Sequence, residues 1–116
     1  MKNKRETGSC YEKSAAAFLT GLGYEILEKN FYCRQGEIDL IARDGRYLVF
    51  VEVKYRKTAK SGDPAEAVDA RKQKRMVHAA RYYLICHGYP EDTACRFDVV
   101  TVLGEDMKLY RDAFWG

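Results

Sequence analysis

Three charged residues stand in segments that are otherwise apolar: Asp39 in Ile38-Asp39-Leu40-Ile41, and Glu52 and Lys54 in Val49-Phe50-Val51-Glu52-Val53-Lys54. Both segments have the composition of buried β-strands, where a charge is costly unless it is paired or bound to a metal. Asp44-Gly45 between them is the preferred chemistry for a two-residue hairpin turn. With those two residues in the turn, Arg43 faces Arg46 and Phe50 lies opposite Asp39. Glu52 is then the diagonal neighbour of Asp39 on one face, and Lys54 follows on that face because side chains alternate along a strand. Diagonal neighbours are roughly 7–8 Å apart, close enough for two carboxylates to share a cation. Mg²⁺ is commonly held by one or two carboxylates plus water and phosphate oxygens, and an adjacent ammonium can orient a water or neutralise developing charge. An internal salt bridge from Lys54 to Glu52 or Asp39 explains the same three residues equally well.

The elements that must position this group follow from periodicity. Tyr11, Ala15, Phe18 and Leu22 form a helical stripe over about 10–22, and Ser9-x-x-Glu12 has the form of a capping box. An edge strand is expected over 24–31, then the two strands of the hairpin over 38–43 and 47–53. The segment 57–62 reads as a loop, and Asp63-Pro64 as the start of a short helical turn ending near Val68. Asp69 caps a longer helix to about Cys86, with Met76, Ala79, Ala80 and Tyr83 inward. A central strand over 96–102 and a last strand over 107–111 complete the order α-β-β-β-α-β-β. That order predicts one α/β domain over residues 1–116, a mixed sheet flanked by helices.

The 116 residues suffice for one core and not for two. No apolar run reaches the ~18–20 residues of a membrane span, and the basic start Met1-Lys2-Asn3-Lys4-Arg5 leads into polar residues rather than the apolar stretch of a signal peptide. Cys10, Cys33, Cys86 and Cys95 have no C-x-x-C pairing, which fits scattered reduced thiols better than a zinc ribbon or a secreted disulfide framework. A cytoplasmic protein without membrane association is expected. The net charge of +3 is unevenly spread: residues 54–81 carry nine basic and three acidic side chains, while residues 1–53 are balanced at eight each. That band suits a polyanionic partner. Its members Arg56, Lys57, Arg71, Lys72, Lys74 and Arg75 are the candidate nucleic-acid contacts. His78 and His87 lack partners at metal-ligand spacing. Tyr55, Tyr82 and Tyr83 could stack on bases, although core packing explains Tyr83. Asp98 reads as a structural partner for a basic group, and Trp115 as a cap on the core.

Gly36-Glu37-Ile38-Asp39-Leu40-Ile41 followed by Val49-Phe50-Val51-Glu52-Val53-Lys54-Tyr55-Arg56 resembles the YraN-like family of small bacterial proteins. The resemblance runs from Gly8 through Glu12, across both strands, to Gly62-Asp63-Pro64, Lys72, Ala80 and Arg96-Phe97-Asp98, so it covers nearly the whole chain. Tyr11 stands where the family usually has glycine. The family belongs to the restriction-endonuclease-like superfamily, with its D…(D/E)-x-K motif, and is similar to archaeal Holliday junction resolvases. The resemblance implies a restriction-endonuclease-like fold, with Asp39 and Glu52 as ligands of Mg²⁺ (or Mn²⁺) and Lys54 as the catalytic lysine. Glu12 matches the helical glutamate that completes the site in resolvase-like relatives, a role that competes with the capping box. Glu37, on the face of Asp39, is an outer group. Gln73 lies on the helix where some related nucleases use a glutamine, but its surroundings read as exposed helix.

Two functions remain open on the sequence, with a purely structural partner protein as a third. One is a metal-dependent endonuclease acting on DNA, including branched, Holliday junction-like DNA. The other is a nucleic-acid-binding or assembly protein that keeps the nuclease fold without turnover. Two symmetric cuts would call for two sites, so a homodimer is expected on analogy with the resolvases.

Overall fold

The computed structural model describes residues 4–56 and 68–114, the side chains of residues 4–10 excepted. Its elements are α1 (Lys4–Gly21), β1 (Glu25–Cys33), β2 (Gly36–Asp44), β3 (Tyr47–Tyr55), α2 (Ala70–Cys86), β4 (Cys95–Leu103) and β5 (Asp106–Tyr110). The order is the expected α-β-β-β-α-β-β. The five strands form one sheet in the order β1-β2-β3-β4-β5. β3 and β4 are parallel and the other pairs antiparallel, so α2 is the crossover that a parallel pair requires.

Each face of the sheet carries one helix. Met76, Ala79, Ala80 and Tyr83 of α2 pack with Ile38, Ile41, Leu48, Phe50, Phe97 and Val99. Ala15, Ala16 and Leu19 of α1 pack on the other face with Leu40, Ala42, Val49, Val51, Val100 and Val102. Burial on both faces explains why β2, β3 and β4 read as near-continuous apolar runs. This is an α/β fold with a mixed sheet between helices, compatible with the nuclease-like fold the resemblance implies.

Three local expectations need correction. α1 begins at Lys4, so Ser9 lies inside the helix and the capping box does not form its start. The buried stripe of α1 is Ala15, Ala16 and Leu19, whereas Leu22 is exposed, because the helix closes at Gly21 and the Tyr24 N–H turns back to the Leu19 carbonyl. The β2–β3 turn consists of Gly45 and Arg46, not Asp44 and Gly45. Asp44 pairs with Tyr47 and Ile41 with Phe50. Gly45 takes φ +59° at the first central position, the conformation for which a tight hairpin turn selects glycine. Because the pairing moves by two residues, the faces are unchanged, and Asp39 and Glu52 remain on one side. The predicted loop over 57–62, the turn beginning at Asp63-Pro64, and Trp115 lie outside the described residues.

Candidate functional site

The paired ladder between β2 and β3 runs from Asp44–Tyr47 to Leu40–Val51. Beyond it the side chain of Asp39 takes over: its Oδ2 accepts the Val53 N–H at 2.8 Å. On the other side of β2, Asn30 of β1 has a left-handed φ of +55°, which asparagine tolerates better than most residues. The sheet is thus irregular on both sides of Asp39, and side chains from both helices meet there. Tyr11 and Glu12 from α1, Asp39 from β2, Glu52, Val53, Lys54 and Tyr55 from β3, and Lys72 from α2 line a cavity of about 320 Å³.

This cavity holds more carboxylate than its cations neutralise. Glu52 is 5% exposed, and its Oε2 lies 3.0 Å from Lys72 Nζ. Its Oε1 is buried without a hydrogen-bond partner, and so is Oε2 of Glu12. Burial first, and then contact with Asp39, pushes the Glu52 carboxyl well above the ordinary range, against the pull of Lys72. Glu12 is raised to about 7 by burial and by the negative charge of Asp39, with a hydrogen bond from the Asn30 side chain opposing the shift. Burial disfavours the Lys72 ammonium, but Glu52, Asp39 and Glu37 together outweigh it and hold its pKa above the usual value. The Lys72 ammonium therefore faces Glu52 and Asp39 within the cavity, and Glu37 adds a longer contact to it at 3.9 Å.

The four residues expected to do chemistry, Glu12, Asp39, Glu52 and Lys54, thus line one cavity. The anticipated ion pair has a different cation: Lys72 occupies Glu52, while Lys54 is exposed at the cavity wall. The pairing of Lys72, expected as a nucleic-acid contact, with Glu52 and the Asn30 contact to Glu12 are what the sequence did not show. A signal existed for each. Asparagine inside an apolar-polar alternation favours a kink. Lys72 sits in the first turn of α2, just after its cap Asp69, where the helix dipole disfavours a cation unless an acid holds it.

Of the expected nucleic-acid contacts, Arg71, Lys74 and Arg75 are exposed on the first turns of α2, and Arg56 is half-buried just after β3. Lys57 lies outside the described residues. Gln73 is not merely exposed helix, since its Nε2 donates to the Val68 carbonyl at 2.8 Å. His78 is exposed, whereas His87 caps α2 and stacks on Tyr83 with centroids 4.0 Å apart. Tyr83 is core, as expected. Tyr55, 42% exposed, stacks on Tyr11 at 4.7 Å.

Asp98 is the expected structural partner. It is fully buried and accepts from Arg96 Nε, Arg96 Nη2, the Tyr24 hydroxyl and the Asp112 N–H at 2.7–2.9 Å. Arg96 also reaches Asp44 at 2.9 Å. This network joins the C-terminal end of β2 to the start of β4, away from the cavity.

Cation fit can be judged from these donors. Among the described residues no group of three or more His, Cys, Asp or Glu is arranged to hold a metal by itself. Mg²⁺ does not require such a cage, because water and substrate oxygens complete its octahedron. Two buried carboxyl oxygens without donors, beside Asp39, are the hard oxygen ligands it takes once their protons are displaced. Among the described residues no helix is long and apolar enough to cross a membrane.

Comparison with known proteins is consistent throughout. The family model described as "Uncharacterised protein family UPF0102" matches residues 11–102. A UPF0102 protein of Lachnoclostridium phytofermentans is 49% identical over 97% of this chain and 95% of its own length. One from Symbiobacterium thermophilum is 52% identical over 84% and 82%, and one from Klebsiella pneumoniae 43% identical over 95% and 87%. The chain belongs to the UPF0102 family, the YraN-like family to which the motifs around Asp39 and Glu52 point.

Proposed function

We propose that this chain is a Mg²⁺-dependent endonuclease acting on DNA, with branched DNA among its substrates. The observation that carries the reading is the pair of donorless buried oxygens, Glu12 Oε2 and Glu52 Oε1, in residues that line the cavity with Asp39. Burying carboxylates this way costs stability unless a cation compensates, so a cluster that Lys72 compensates only in part points to use rather than to architecture.

In this reading Asp39 and Glu52 hold the ion and Glu12 completes the acidic wall. Mn²⁺ serves as well as Mg²⁺. The chemistry a bound divalent ion supplies is activation of water and neutralisation of charge on a phosphoryl oxygen. Lys54, exposed at the wall, orients the attacking water or meets the charge that develops on the phosphate. Water adds to phosphorus and one bridging P–O bond breaks, leaving a phosphate and a hydroxyl end. Arg56, Arg71, Lys74 and Arg75 engage neighbouring phosphates and fix the strand without reading its sequence. The test is cleavage of duplex, single-stranded and four-way-junction DNA with Mg²⁺ or Mn²⁺. Wild type should cut and Asp39→Ala should not; equal activity in the two rejects the assigned site.

A second reading, a nucleic-acid-binding protein without turnover, has its own support. Lys72 already compensates Glu52, and the Val53 N–H already satisfies one oxygen of Asp39, so the site closes in part without a metal. Binding that survives Glu52→Ala and falls steeply with salt, with no uptake of metal by calorimetry, would favour it.

A further inference from the structure

Lys72 lines two cavities at once. One is the acidic cavity, where it sits on Glu52. The other, about 280 Å³, is lined by Tyr32, Cys33, Gly36, Glu37, Lys72 and Arg75. Its ammonium has a carboxylate on each side: Glu52 at 3.0 Å in the first cavity, and Glu37 at 3.9 Å toward the second. The side chain is 36% exposed, and that of Glu37 46%, so the outer position is open to solvent while Glu52 is not. The backbone beneath is fixed. The Lys72 N–H is bound by the cap Asp69 at 2.8 Å. Gly36 brings the β1–β2 turn so close to α2 that an added Cβ would stand 3.1 Å from Arg75 Cβ. A flexible four-carbon stem on a fixed turn can change carboxylates without moving the helix.

Resting on the nuclease reading, we propose that Lys72 is an exchangeable counterion: it neutralises Glu52 until a divalent cation arrives, then turns past Glu37 into the second cavity and, with Arg75, holds a backbone phosphate of the DNA. The exchange keeps the buried carboxylates compensated in both states. It also couples the two ligands, because the ion frees the cation that the phosphate needs. The lysine is a point charge with rotatable donors, suited to serving two partners in turn.

Opposite effects of one substitution test this. Lys72→Met retains the stem and removes the charge, while Lys72→Arg retains the charge. Mg²⁺ binding is followed by calorimetry on the protein alone, and binding of a fluorescent non-cleavable phosphorothioate duplex by anisotropy in Ca²⁺ over a range of salt. For Lys72→Met the expected result is Mg²⁺ binding tighter on the order of tenfold, since a competing positive charge is gone. DNA binding should weaken, with the salt slope reduced by about one phosphate contact. Lys72→Arg should remain near wild type in both. If Lys72→Met weakens Mg²⁺ binding or leaves it unchanged, the lysine does not compete with the ion and the exchange is wrong. If wild type itself takes up no Mg²⁺, the nuclease reading falls and the exchange with it. Circular dichroism of both variants separates these outcomes from unfolding.

Discussion

The Asp39 carboxylate accepts the main-chain N–H of Val53 at 2.8 Å, immediately past the Leu40–Val51 pair with which the described β2–β3 ladder ends. A side chain thus substitutes for the next rung of a sheet. Asp39 thereby lies beside Glu52, and Glu12 and Lys72, from helices on opposite faces, line the same cavity.

Replacing Asp39 by Asn keeps an acceptor for Val53 and removes a negative charge beside Glu12 and Glu52. Metal-free Asp39→Asn should therefore fold and be more stable than wild type by roughly 1 kcal/mol, in the range seen when function-linked strain is relieved. It should lose divalent-cation binding. Urea unfolding in EDTA, paired with Mg²⁺ calorimetry, checks both halves.

The raised carboxyls make stability depend on pH. Glu12 is about 4.5 in its ordinary state and about 7 in the folded chain, and Glu52 is raised further. A raised folded value means that folding takes up protons. The associated stability is therefore full below about 4.5 and is lost as pH rises through about 7. Metal-free protein should show a falling urea midpoint between pH 5 and pH 8, and saturating Mg²⁺ should flatten that fall.

Gly36 is required for close approach. A Cβ there meets Arg75 Cβ at 3.1 Å and the Arg75 carbonyl oxygen at 3.3 Å, so Gly36→Ala must push the β1–β2 turn and α2 apart. The expected cost is about 1–3 kcal/mol, typical of overpacking. Lys72, one turn from Arg75 on α2, should separate from Glu52. Denaturant titration gives the first effect and a crystal structure of the variant the second.

The Asp98 network should matter to stability and not to the site. Asp98→Ala leaves Arg96, whose side chain is 12% exposed, with Asp44 as its remaining carboxylate. Breaking a buried pair from one side costs about 3–5 kcal/mol. The folded fraction of that variant should bind Mg²⁺ with wild-type affinity, measured by calorimetry at low temperature.

Much of this architecture was legible because local rules and burial agree. Asp69 caps α2, and Met76, Ala79, Ala80 and Tyr83 form its inner face, as periodicity predicts. Asp39 and Glu52 stood out because charge in a doubly covered strand conflicts with its surroundings. The turn register was not legible: Asp44-Gly45 and Gly45-Arg46 both satisfy turn chemistry, and only the pairing of the whole strands decides between them. Nor was the partner of Glu52. Lys54 is near it in sequence, but Lys72 reaches it from the first turn of α2, which lies against the start of β2. Contacts across a crossover depend on packing that no spacing rule encodes.

The central claim is that Asp39 and Glu52 share a divalent cation. Soaking crystals in Mn²⁺ and recording its anomalous scattering tests it most directly. The expected result is one strong peak touching both carboxylates, with the Lys72 ammonium moved off Glu52. A map without manganese in this cavity, and with the 3.0 Å Lys72–Glu52 pair intact, would contradict it.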